Sequence, residues 1–537
     1  GANNVAVGRL ALGANTTGTH NTAVGSGALD ASTTGSDLTA VGYNVLGANT
    51  TGYSNVGVGG SATYLAAALS TNTTGYGNTG VGSGAMAGTT TGSANVAMGR
   101  QAMYANTTGS NNVAVGDSAL DANTTASSNT AVGWGSLGVN TTGAQNTAVG
   151  RNALDANTTA ANNVAVGYEA MTANTTGTAN VTVGAHSMQA NTTASNNTAV
   201  GYFSLAANTT GTGNNTLGYQ SLDANTTGSY NTAMGHVALT ANTTAADNTA
   251  FGGQAMYATT TGAKNTGIGS QALYANTTGA ENTAVGYQAL DANTTGTRNT
   301  ALGHGALSAL VGGYHYNVAI GYNALAVSTV NTGNVAIGAL AMDGLTSGSA
   351  TQCVAVGYAS MSGALAGYGN TALGDSTMTV ATSAFENTFI GRNSGVTLTT
   401  GDNNVALGSY AGDVVTTGSN NVLIGYDAGS DALGAITTVS NYIMLGNNST
   451  ANAEIKVDWT VISDQRDKTD IETLPDNAGL NFVNQMRPVS YVFDNRDKYY
   501  PHTHAQYGER DHSKKSTAKQ VGFIAQEIKA IEESIGW

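Results

Sequence analysis

Asn282-Thr283-Ala284-Val285-Gly286-Tyr287-Gln288-Ala289-Leu290-Asp291-Ala292-Asn293-Thr294-Thr295-Gly296-Thr297-Arg298 is one copy of a motif that fills most of this 537-residue chain. Aligned on Gly286, the motif recurs from Gly99 through Gly116 and Gly133 to Gly303 in steps of 17 residues. The same glycine anchor occurs 26 times between Gly8 and Gly446. Repeats of this kind decide the fold before any local reading. The segment Thr283-Ala284-Val285-Gly286 alternates larger and smaller side chains, the period of a strand, and its β-branched residues suit a pleated surface. A helical array is a poor alternative, because Asn-Thr-Thr-Gly is a weak helix former and helical repeats run to about 33 residues or more. The expectation is an all-β parallel β-solenoid (β-roll) with one coil per repeat. At about 4.8 Å per coil it makes a rod on the order of 120 Å long.

Alternation further predicts that Thr283 and Val285 point one way and Ala284 and Gly286 the other. Val285 and Leu290 are assigned to the coil's own core. The small Ala/Gly face is expected to let a second backbone approach, as at a subunit axis. Asn282 and Asn293 recur in register and are expected to form amide ladders that satisfy turn backbone groups. The repeat breaks step at Gly59–Gly82, Gly303–Gly321, Gly338–Gly357 and Gly425–Gly446, with spacings of 23, 18, 19 and 21 residues. Such insertions become loops on one face of a solenoid.

Composition narrows the function. Charged residues are 9% of the chain, against an average of about 25%. The net charge is −14, and residues 1–446 carry just six basic residues. Nucleic-acid binding, which needs clustered Lys and Arg, is therefore not expected. No run of 18 apolar residues exists, so no membrane span is expected. The sequence starts at Gly1 without Met, and an N-terminal part, with any secretion signal, is expected to precede it. Cys353 is the one cysteine and stands where most repeats have asparagine, which points to a small structural substitute. No cofactor or metal is expected. His502, His504 and His512 lack a further ligand, the repeats lack the aspartates of calcium-binding rolls, and no Gly-Lys-Ser/Thr loop is present. Tyr168, Tyr202, Tyr219, Tyr287, Tyr322 and Tyr358 follow anchor glycines and read as a structural aromatic ladder.

All three prolines and 11 of the 17 basic residues lie in residues 447–537. The chain is thus divided into a solenoid shaft (1–446), a connector (447–462) and a small α+β C-terminal domain (463–537). Ile528, Ile531 and Ile535 fall at helical spacing and suit packing along a three-fold axis.

Two resemblances add to this reading. Asn163-Val164-Ala165-Val166-Gly167 resembles the head repeat of trimeric autotransporter adhesins, a parallel β-roll also found in phage tail fibres. Ser463-Asp464-Gln465-Arg466-Asp467-Lys468, Asp470-Ile471, Met486-Arg487-Pro488-Val489 and Gly522-Phe523-Ile524-Ala525-Gln526-Glu527 resemble the intramolecular chaperone of endosialidase family. That resemblance implies a homotrimer whose chaperone directs assembly and then cuts itself off. Ser463 and Lys468 match the family's nucleophile and base, and the implied cut is Ile462–Ser463. A serine hydroxyl needs such a base, and Arg466 is a candidate for lowering the lysine's pKa. The expected function is a phage tail fibre in the virion, with a host cell-surface receptor (a glycan among the candidates) and other virion proteins as partners. A bacterial cell-surface adhesin and an ice-binding solenoid are the alternatives.

Overall fold

In a computed structural model of the chain, the structure describes residues 1–61, 65–329, 332–345, 350–363, 365–430, 436–451, 480–492 and 519–534. It divides into two compact units, Gly1–Ala451 and Asn452–Trp537.

The first unit is an all-β parallel solenoid. Its 26 strands, from β1 (Val5–Val7) to β26 (Ile443–Leu445), are three residues each. Each pairs in parallel with the next in sequence order, as Thr283↔Thr300, Ala284↔Ala301 and Val285↔Leu302 illustrate. The register holds across the longer steps, with Val56↔Thr79, Ala301↔Ala319, Ala336↔Ala355 and Leu423↔Met444. The extra residues are therefore accommodated outside the strands. Backbone bonds join coil to coil beyond the strands as well: Gly286 N–H donates to Ile268 O at 2.7 Å, and Leu290 N–H to Ala306 O at 2.9 Å.

The anchor glycine is dictated by two constraints. Gly286 has φ +135°, a region open to glycine almost alone, and a Cβ there would lie 2.5 Å from the Gly303 carbonyl oxygen. Side chains do enter the left-handed region elsewhere in each coil: Gln288, Leu290 and Arg298 have φ of 52°, 54° and 58°. Each costs about 1–2 kcal/mol. The stacked coils on either side hold these bends in place.

The core is narrower than the alternation suggested, and one assignment is corrected. Ala284 and Leu290 are fully buried, whereas Val285 is only half-buried and points outward. The Ala/Gly side is the inside of the coil and is not available as a subunit axis. Leu290 closes the coil from the side opposite the strand, which leaves methyl-sized room beneath the strand centre. Gly57 and Gly267 occupy that place in other coils, where a Cβ would meet Val45 and Met256.

The asparagine ladders are present. Asn282 Nδ2 donates to Gly296 O at 2.8 Å, and Asn282 Oδ1 accepts from Asn299 N–H at 3.0 Å. Asn293 Nδ2 donates to Asn276 Oδ1 at 2.9 Å. Cys353 takes the asparagine's place in the first ladder: it is buried, and its N–H donates to Asn334 Oδ1 at 2.9 Å. Burial raises its thiol pKa, in keeping with a structural residue. The first threonine of each pair is also used between coils, with Thr277 Oγ1 donating to Thr294 O at 2.9 Å. The second, such as Thr295, is exposed.

Candidate functional site: the outer sheet face and the C-terminal unit

Turning Ala284 inward places a different surface on the outside. The third residue of every strand is Val, Ile, Leu, Met or Phe, from Val7 through Val166, Leu217 and Phe251 to Ile424 and Leu445. The first residue is Thr or Val in nearly all of them. No outward position of the 26 strands carries a charge. Leu217, Phe251 and Leu302 are 51%, 54% and 45% exposed, and the row continues at half-burial between them. Parallel sheets are ordinarily covered on both faces. A continuous apolar row of this length on a free surface marks an interaction site.

Past the glycine corner the surface changes character. Aromatic rings stack from coil to coil: Tyr202 on Tyr219 at 5.7 Å, Tyr219 on His236 at 5.3 Å, and His304 on Tyr322 at 5.3 Å. This is the ladder that the spacing of the tyrosines predicts. Tyr168 instead meets His186 edge-on at 5.2 Å. The sparse charges pair along the same direction, as with Arg100 and Asp117 at 2.8 Å and Arg298 and Glu281 at 2.6 Å.

In the second unit, α1 (Leu480–Gln485) contacts α2 (Ala525–Ser534), and β27 (Val489–Val492) pairs antiparallel with β28 (Lys519–Gly522). Arg487 and Glu527, from two separate matching motifs, form an ion pair at 2.5 Å. This contact raises the guanidinium's pKa, first through the hydrogen bond and then through the charge. Ile528 and Ile531 lie on α2 and are half-buried; Ile535 lies outside the described residues. Ser463 and Lys468 also lie outside them, as do His502, His504 and His512. Among the described residues no group of three His, Cys, Asp or Glu gathers at one place, and no helix is long and apolar enough to cross a membrane.

Sequence reasoning missed the outer row because it placed Val285 inside. The signal was available in the third strand position, which stays apolar while the middle one stays small.

Comparison with known proteins bears on the second unit. No curated protein and no solved structure matches the chain. Residues 463–536 match the family model Peptidase_S74, described as chaperone of endosialidase. That family implies trimerisation. The C-terminal region of this chain is therefore a chaperone of endosialidase domain, carried by a protein whose preceding 26 coils form a parallel β-solenoid.

Proposed function

We propose that the chain is the shaft of a homotrimeric phage tail fibre acting in host attachment, assembled by its C-terminal chaperone and displayed on the virion tail. The observation that supports it most is the uncharged outer row of the 26-stranded sheet, in a chain whose C-terminal family implies trimerisation. In this reading three copies meet along that row, which covers the open face of each sheet. A long repeat with a three-residue strand per coil has little to prevent slippage between copies by one coil. A terminal domain that gathers three chains at one end sets the stagger before the rows zip. Low charge and a long stiff rod suit a spacer that holds a contact away from a particle, and the receptor is a host surface component.

Maturation in this reading is one self-cleavage. Lys468 takes the proton of Ser463, whose oxygen attacks the Ile462 carbonyl carbon and displaces the Ser463 nitrogen. Water then releases the shaft from the resulting ester, so the peptide bond is hydrolysed overall.

The test is native mass spectrometry of the full chain beside Ser463→Ala, together with adsorption to candidate host cells. The expected result is a trimer of shafts ending at Ile462 in the wild type, an uncut trimer in the variant, and adsorption by the trimer. A full-length monomer that adsorbs to no cell contradicts the proposal.

A further inference from the structure

One coil departs from its neighbours by lacking side chains. In Asn129–Asn140 the residues after the anchor Gly133 are Trp134-Gly135-Ser136-Leu137-Gly138-Val139. Gly135 and Gly138 stand where the flanking coils carry Ser118 and Asp121 on one side and Asn152 and Asp155 on the other. The missing side chains leave a surface recess of about 300 Å³, lined by Trp134, Gly135, Gly138, Asp121, Asn152 and Asp155 among others. Neighbouring side chains lean over the gap: a Cβ on Gly138 would lie 3.0 Å from Asp155 Oδ1, and one on Gly135 would lie 2.9 Å from Asn152 Oδ1.

The lining has a defined chemistry. Trp134 is half exposed, and the Arg151 guanidinium over its ring at 5.0 Å steadies it. Asp121 Oδ1 is shielded from solvent and has no hydrogen-bond partner. No Lys, Arg or His lines the recess, and two carboxylates face it, so an anionic ligand is repelled. Arg151 already supplies a positive charge to the indole, which disfavours a cationic ligand there. A metal ion lacks a ligand set here: among the described residues no group of three His, Cys, Asp or Glu gathers at one place. Carboxylates only accept hydrogen bonds, so the ligand must donate. A recess of about 300 Å³ beside a half-exposed indole has room for one small ring.

We propose that this recess binds a single neutral sugar ring, with its apolar face against Trp134 and its hydroxyls donating to Asp121, Asp155 and the Asn152 oxygen. The recess lies after the glycine corner rather than on the strand, so covering the outer row leaves it open. The inference goes beyond host attachment and does not rest on it, because a fibre could meet its host through another part and still hold a sugar here.

The test is saturation-transfer NMR of the full chain with glucose, galactose, mannose and N-acetylglucosamine as probes. It compares wild type, Trp134→Ala and Gly138→Tyr. Tyrosine is the residue that other coils hold at the place of Gly138, as Tyr104, Tyr257 and Tyr274, so the coil accepts it there once the Asp155 carboxylate turns aside, and this variant fills the recess. Ala206→Tyr, at the same place in another coil, is the control. Saturable binding of at least one probe is expected, weakened tenfold or more by Trp134→Ala and Gly138→Tyr and unchanged by Ala206→Tyr. A folded wild type that binds none of the probes, or binding that survives in Gly138→Tyr, overturns the proposal. Either failure leaves cell adsorption to be judged separately.

Discussion

The coils before Gly303 and those after it share one backbone and differ in what fills it. In the first set, a second amide ladder runs through the interior: Asn208, Asn225 and Asn242 are linked by Nδ2–Oδ1 bonds of 2.9 and 2.8 Å. In the second set that place is taken mostly by apolar residues, Leu310, Leu345, Ala381, Leu398, Val415 and Ile436, with Ser328 in one coil, all buried. The ladder ends visibly. Asn15, Asn72, Asn242 and Asn293 have an Oδ1 without a partner, and the next coil in each case offers Ser32, Thr89, Thr259 or Leu310 instead of asparagine. Toward the C-terminal end of the shaft the apolar core is also redistributed. Gly395, Gly412 and Gly429 replace the buried leucine, and Phe389 and Leu423 replace the small strand centre. A Cβ at Gly395 would strike the Phe389 ring. The first ladder and the strand register persist through both sets. The coil therefore tolerates either amides or hydrocarbon inside, provided that volume is conserved, and it bears one unmatched amide oxygen at the end of each amide run.

The largest expected effect tests what the two sets share. Gly286→Ala and Gly408→Ala each force a side chain to φ +135° and +144° and against the next coil's carbonyl. Both should open the stack locally, because the carbonyl clash adds to a backbone strain of about 1–3 kcal/mol. Hydrogen exchange should show lost protection around either site alike, and tolerance at one of them would break the claim of a common frame. Next is the exchange of volume. Phe389→Ala should cost about 3–5 kcal/mol. Adding Gly395→Leu rebuilds the earlier coils' core, and thermal melts of the double variant should recover most of the loss. Failure to recover would mean that the two fillings are not interchangeable.

A smaller effect separates the sets. Asn225→Ala leaves the Asn208 Oδ1 without its donor, while the Gly228 carbonyl keeps the Asn214 Nδ2, at about 1–3 kcal/mol for the stranded group. Leu310→Asn, by contrast, offers the orphaned Asn293 Oδ1 a donor, and its melting temperature should fall far less than an ordinary buried Leu-to-polar change. The smallest effect is electrostatic. Burial raises the Asp223 carboxyl pKa above its ordinary value. Above the folded-state pKa the ionised group therefore destabilises the coil, and below the unfolded-state pKa, about 3.9, both states are protonated and the penalty is gone. The melting temperature of Asp223→Asn should exceed that of the wild type near neutral pH, with the gap closing as the pH falls through that window. The group is half exposed, so solvent screens the effect to a small one.

Much of this was legible in the repeat. The period, the glycine anchor, Leu290 in the core and the two asparagine ladders all follow from spacing and residue type. The inside and outside of the strand did not, because a three-residue strand with Thr, Ala and Val is largely apolar on both faces. Volume decides it: Leu290, reaching across, leaves room for Ala284 and none for Val285. The recess beside Trp134 escaped for a related reason. Added residues show as a changed spacing between anchors, whereas Gly135 and Gly138 keep the 17-residue step and remove side chains within it. The proposed Ser463–Lys468 pair rests on motif resemblance, since both residues fall outside the described part of the second unit.

Cross-linking on the outer row tests the central claim most directly. Cys353 is buried and is the one native cysteine, so an added surface thiol reports alone. Val166→Cys, on the third strand position, should join chains under mild oxidation or a short bis-maleimide, while Thr295→Cys, on the exposed threonine row, should not. Ready cross-linking through Thr295→Cys with none through Val166→Cys would contradict a trimer built on that face.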